Sequence, residues 1–242
     1  MDKFGNIRFH NLILILAFVL FMHRCEKEQA DDDDISSIQF NPLISYDSIT
    51  DWDGNTYKTV LIGQQVWMAE NLRTTHTHDG IAVPRVIEHL SWSGLSTPGY
   101  CWYEYQEDHK EIWGALYNWY AIETERLCPA GWHVPAMTDW DTLITFLGGA
   151  ETAGGRLKEI GNFHWQEPNT GATNESGFTA LPSGARSASA GFFSIDYTGA
   201  WWSSTMYDTL FVYYVMIQNF HGTAQLFPCP RETGLSVRCV KD

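Results

Sequence analysis

Three short stretches carry side chains whose types and spacing could do metal chemistry. In HTHD (76–79), His76 and His78 alternate as they would on one face of a strand, which is how two imidazoles begin a metal site. DWDGN (51–55) starts like a calcium loop but has no glycine at its sixth position and no closing glutamate, so it reads as a turn before a strand. QEPN (166–169) offers Glu167 and Asn169 as hard oxygen donors of the kind calcium takes. Each set is short of a full ligand count. The expectation is therefore no metal and no cofactor, with calcium the one cation these oxygens would suit.

Nucleophilic chemistry has even less to stand on. The sequence contains no Gly-x-Ser-x-Gly, no phosphate loop and no His-Glu-x-x-His. Five cysteines remain to be explained: Cys25, Cys101, Cys128, Cys229 and Cys239. A formal charge of -14 repels phosphate backbones and argues against a nucleic-acid partner.

The N-terminus addresses the chain to a membrane. Lys3 and Arg8 precede NLILILAFVLFM (11–22), an apolar run of signal-peptide length, shorter than the roughly 20 residues of a spanning helix. Cys25 follows at the distance of a cleavage site, an arrangement that resembles a bacterial lipoprotein signal in which this cysteine is acylated, although Met22, His23 and Arg24 replace the usual small residues. The acidic run EKEQADDDD after it resembles a surface-export signal and would act as an extended tether. The expected organisation is a signal peptide over 1–24, a tether over 25–46 and a folded domain over 47–242, in an outer-membrane lipoprotein exposed at the cell surface.

With Cys25 acylated, four cysteines are left in an exported chain, an even number that favours disulfides and allows three connectivities. Within the domain, YKTVLI (57–62) and QVWMAE (65–70) alternate around Gly63-Gln64 and predict a hairpin. EIWGALYNWYAIE (111–123) spaces Ile112, Leu116, Trp119 and Tyr120 as one amphipathic helix. TDWDTLITFLGG predicts a second helix, with Thr138 and Asp141 as a capping box and Gly148-Gly149 as its stop; ETAGGRLKEI (151–160) reads as a third. FTALP, AWWSST, FVYYVMIQ, TAQLF and GLSVRCV follow as short strands. Between the first two helices lies LCPAGWHVPAMTDW (127–140), whose Cys128-Pro129 and Val134-Pro135 force extended backbone while Gly131 permits a bend, so it is a structural joint.

DWDGNTYKTVLIGQQVWMAENL, TPGYCWY, GALYNWYA, LCPAGWHVP, GATNESGFTALPSGAR, WWSST and GLSVRCVKD, in this order, resemble the Fibrobacter succinogenes major paralogous domain family over about residues 50–242. The departures are Ala136-Met137 at a helix start and the loop SASAGFFSID. The resemblance implies an α+β, C-type-lectin-like fold: two or three helices packed on a short mixed or antiparallel sheet with long loops. It also implies a disulfide between Cys128 and Cys239, and leaves Cys101 and Cys229 free to pair with each other. Glu-Pro-Asn serves calcium and sugar in C-type lectins, but the companion Trp-Asn-Asp is absent here. The resemblance extends to the fold of formylglycine-generating enzymes, yet their close C-terminal cysteine pair is not matched by Cys229 and Cys239, and the His-x-x-x-His-x-Glu cluster of the related iron-dependent sulfoxide synthases is absent.

Eleven tryptophans suggest sugar stacking, but Trp67, Trp113, Trp119, Trp132 and Trp140 fall on element faces and should be core. Trp165, Trp201, Trp202, Asn169, Asn174 and Tyr207 are the surface candidates, with one of the two adjacent rings 201 and 202 turned inward. The expectation is a lipid-anchored, non-enzymatic binding or adhesion protein with a glycan or protein ligand. A structural subunit of an envelope assembly is the alternative, and an oxidoreductase of the formylglycine-generating type a third reading.

Overall fold

The computed structural model describes residues 37–189 and 191–242; the signal segment, Cys25 and the acidic run lie outside these residues. The described residues open with three antiparallel strands, β1 (Asp47–Thr50), β2 (Thr56–Ile62) and β3 (Gln65–Met68). β2 and β3 form the predicted hairpin, with Gly63 at φ 63° in the turn and Tyr57, Val60, Ile62 and Trp67 buried. The chain continues through α1 (His89–Ser93), β4 (Tyr100–Cys101), α2 (Lys110–Trp113), β5 (Leu116–Tyr117), α3 (Trp119–Ile122) and β6 (Trp132–His133). It ends with α4 (Met137–Phe146), α5 (Ala150–Leu157), β7 (Ser183–Arg186), β8 (Phe192–Ile195), β9 (Thr198–Met206), β10 (Phe211–Gln218), β11 (Ala224–Pro230) and β12 (Val240–Lys241). The fold is α+β, with strands predominating over short helices.

The first and last strands share one sheet, ordered β1-β2-β3-β12-β6. Val240 pairs with both Trp67 and His133, so the final strand is the wedge between the hairpin and the joint. One residue earlier, Cys239 is bonded to Cys128. The joint behaves as its prolines and glycine predict: Trp132 N donates to Pro129 O, Gly131 takes φ 80°, and Asp242 N donates to Gly131 O.

One predicted helix is broken in two. Residues 111–123 fold as α2, β5 and α3, because Gly114 takes φ 71° where a Cβ would lie 2.6 Å from the Asn71 side chain, and Leu116–Tyr117 then pair with β4. Asn118 restarts the helix, its side-chain oxygen accepting from Ala121 N. The next helix begins earlier than predicted: Ala136 is the N-cap and Asp139, not Asp141, accepts its backbone N–H at 2.8 Å. Gly148 and Gly149 end it at φ 86° and 92°, as expected.

β9, β10 and β11 form a separate antiparallel sheet that divides two cores. Trp202 enters one and donates to Tyr117 O at 2.7 Å; Trp201 enters the other and donates to Asn71 Oδ1 at 2.9 Å. Both rings are buried because this sheet is covered on both sides. Buried cations fasten the loops around these cores. Arg238 donates to Asn71 Oδ1, Met68 O, Phe178 O and Thr179 O, while Lys158 Nζ donates to the carbonyls of Thr170, Gln218 and His221. Such charges are tolerated inside because every nitrogen of the two side chains has at least one acceptor.

Residues 37–46, assigned from sequence to the tether, lie against the domain. Gln39 N donates to Glu159 Oε1, Asn41 Nδ2 donates to Asn174 O, and Phe40 packs edge-on against Tyr46. No helix among the described residues is long and apolar enough to cross a membrane.

Candidate functional site: an exposed tryptophan beside a polar cleft

The two aspartate- and histidine-bearing loops singled out for metal chemistry bind each other. Asp51 closes its own turn, accepting from Asn55 N, Asn55 Nδ2 and the Tyr57 hydroxyl. Asp53 reaches across to the second loop, accepting from Thr75 N, the hydroxyls of Thr74 and Thr75, and His76 Nδ1 at 2.6 Å. Burial pushes the Asp53 carboxyl up, but the hydrogen bonds from Thr75, His76 and Thr74 outweigh it and hold the group below its ordinary value. Among the described residues no three His, Cys, Asp or Glu side chains are grouped to hold a metal ion.

Trp52 stands between these two pinned aspartates. It is 60% exposed, the one exposed tryptophan among the described residues. Its indole rests on Gly80, where φ is 85° and an added Cβ would come within 2.6 Å of the ring. The glycine lets the ring lie against the backbone and leaves its other side to solvent. The turn beneath is itself fixed: Gly80 N donates to Thr77 O, Thr77 Oγ1 to Asp79 Oδ1, and Arg126 pairs with Asp79 at 2.8 Å.

Two residues before Gly80, His78 enters the wall of a cleft of about 370 Å³. Ile122, Leu127, Val134 and Cys128 give it an apolar floor; Glu125, Ser204, His133 and Asp242 complete the polar rim. His133 is held in place, Nδ1 on Asp242 at 2.7 Å and Nε2 on Asp139 at 3.3 Å. By contrast the His78 imidazole, the Glu125 carboxylate and the Ser204 hydroxyl have no hydrogen-bond partner among the described residues. Glu125 is also held at φ 58°, a left-handed conformation uncommon outside glycine. The arrangement is a flat apolar surface next to a concavity with unused donors and acceptors, which is how pockets orient a ligand.

The family model of the Fibrobacter succinogenes major domain matches residues 60–241. The chain belongs to this family. No curated protein and no solved structure matches it. Within the Fibrobacter succinogenes major domain lie His78, Glu125, His133 and Ser204; Trp52 precedes the matched span.

The residues proposed from sequence as ligand contacts are mostly core in this domain. Trp165 is buried and donates to Ala180 O; Trp202 is buried as described above. Asn174 is buried in a local pair with Thr179, and Asn169 is buried with its Nδ2 on Glu159 O and Gly161 O. Their polar groups hold loops, so these four are corrected from ligand contacts to structural residues. Glu167 accepts from Asn162 Nδ2, so the Glu-Pro-Asn order is part of a hydrogen-bonded loop. Tyr207 is exposed, edge-on to Tyr213 at 5.3 Å. Cys101 and Cys229 are unpaired, Cys101 in the cluster of Trp92 and Leu116, Cys229 against the core of Trp202. Burial raises the Cys101 thiol to about 11 and the Cys229 thiol to about 12. Sequence reasoning passed over Trp52, although a tryptophan inside a turn of Asp, Gly and Asn has no element face to be buried on.

Proposed function

We propose that this is a lipid-anchored cell-envelope protein that binds a glycan without turning it over, with Trp52 as the stacking platform. Trp52 itself carries the reading: a large indole held against a glycine and left open to water is unusual for a residue normally buried, and flat aromatic faces suit the apolar faces of sugar rings. Asp53, His76, Asp79 and Arg126 surround it with fixed polar groups that suit hydroxyls. The C-type-lectin-like reading of the fold rests on the shared sheet of the first and last strands and the Cys128–Cys239 bond. The anchor rests on the signal-like N-terminus and Cys25.

The test is a glycan array followed by titration of the reactive oligosaccharides. Trp52→Ala is expected to lose at least tenfold in affinity, about 1.4 kcal/mol, as central aromatic contacts do. Gly80→Ala should weaken binding too, because the added methyl lifts the ring. Unchanged affinity in Trp52→Ala would remove the platform. Cys25→Ser should abolish palmitate labelling if the anchor is correct.

A further inference from the structure

The cleft next to Trp52 shows a charge preference. Its rim holds Glu125 and Asp242, with Asp139 behind His133, and contains no lysine or arginine. Arg126, next in the chain to Glu125, is tied to Asp79 at 2.8 Å. An anion would therefore meet carboxylates in a lining that offers no lysine or arginine to receive it.

We propose that the cleft takes a primary ammonium group, so that the ligand stacked on Trp52 is an amino-bearing sugar. This deepens the glycan reading and rests on it. Three unpartnered groups face the cleft: the Glu125 carboxylate, which only accepts; the His78 ring, whose neutral form has one accepting nitrogen; and the Ser204 hydroxyl, which accepts through its lone pairs. An ammonium has three donors and no acceptor, so the two sets are complementary. The apolar floor of Ile122, Leu127 and Val134 suits the carbon skeleton that carries such a group. His78 lies in the same turn as Gly80, which places the cleft beside the stacking platform.

The experiment is calorimetric titration of the protein with glucosamine tetramer, its N-acetylated counterpart and a neutral glucose tetramer, at low ionic strength. The amino tetramer is expected to bind at least tenfold tighter than the other two. Glu125→Gln should bring it down to their level without changing theirs, and its melting temperature should match the wild type because Glu125 is exposed and unpartnered. Equal binding of all three tetramers, or a preference that survives in Glu125→Gln, overturns the ammonium site while leaving the glycan reading intact. If no tetramer binds, the glycan reading fails; butylammonium saturating the wild type but not Glu125→Gln would then still support the ammonium site, and its failure to bind would end both.

Discussion

If Cys128 and Cys239 are both replaced by alanine, the protein loses the covalent closure of a 111-residue separation. In the loop-entropy treatment that closure contributes about 5 kcal/mol at 25 °C by restricting the unfolded chain. Both cysteines are buried, so removing two sulfur atoms from the core adds about 1–2 kcal/mol. A small domain that unfolds with an m-value of about 2–3 kcal/mol/M in urea would have its midpoint lowered by roughly 2–3.5 M in the double variant. The assay is urea unfolding followed by tryptophan fluorescence, for the oxidised protein, the protein in reductant and the double variant. Because Cys101 and Cys229 are unpaired, reductant acts on this bond alone among the described cysteines. A reduced protein whose midpoint stays within about 0.5 M of the oxidised one would refute the reasoning, since the register of Val240 on Trp67 and His133 would then hold without the clasp.

Lys158→Met should cost about 3 kcal/mol, because it removes the three hydrogen bonds of a buried ammonium to the carbonyls of Thr170, Gln218 and His221, each worth about 1 kcal/mol. A thermal melt reads this as a fall of roughly 6 °C or more, and a shift under about 2 °C would contradict it. The free thiols give a pH signature. Burial raises both above the unfolded value of about 8.5, so the unfolded chain releases these protons first, and the stability they contribute is intact below about pH 8.5 and is lost as pH rises toward 11–12. The wild type should therefore lose stability relative to Cys101→Ala/Cys229→Ala between about pH 9 and 11 in denaturant titrations, and parallel profiles would show that the thiols are not shielded from water.

What was legible in the sequence was what local rules decide. The hairpin of residues 56–68 follows from alternation around a glycine, and the bend at 127–136 from two prolines and Gly131. The Cys128–Cys239 pair came from the family resemblance, since three connectivities were open to the cysteines themselves. The failures share a cause, which is contact with residues distant in sequence. The helical pattern of 111–123 gave way where Gly114 meets Asn71 and Leu72 and where Leu116–Tyr117 pair with Tyr100–Cys101. Trp202 reads as exposed on any sheet with one wet face, and is buried only because its sheet separates two cores. Trp165, Asn169 and Asn174 lie in a stretch rich in Gly, Asn and Thr that resembles surface loop, yet Lys158 and its three carbonyls draw that stretch inward. Trp52 differs from these: a count of eleven indoles does not single it out, but its place in a turn of Asp, Gly and Asn does.

The strand that completes the larger sheet comes after every other strand of that sheet in chain order. Protein delivered N-terminus first must wait with a gap between β3 and β6 until residues 239–241 arrive, so assembly finishes late and at one seam. A stop before residue 239 would leave β3 and β6 without the strand that joins them, an unzipped sheet instead of a slightly shortened one.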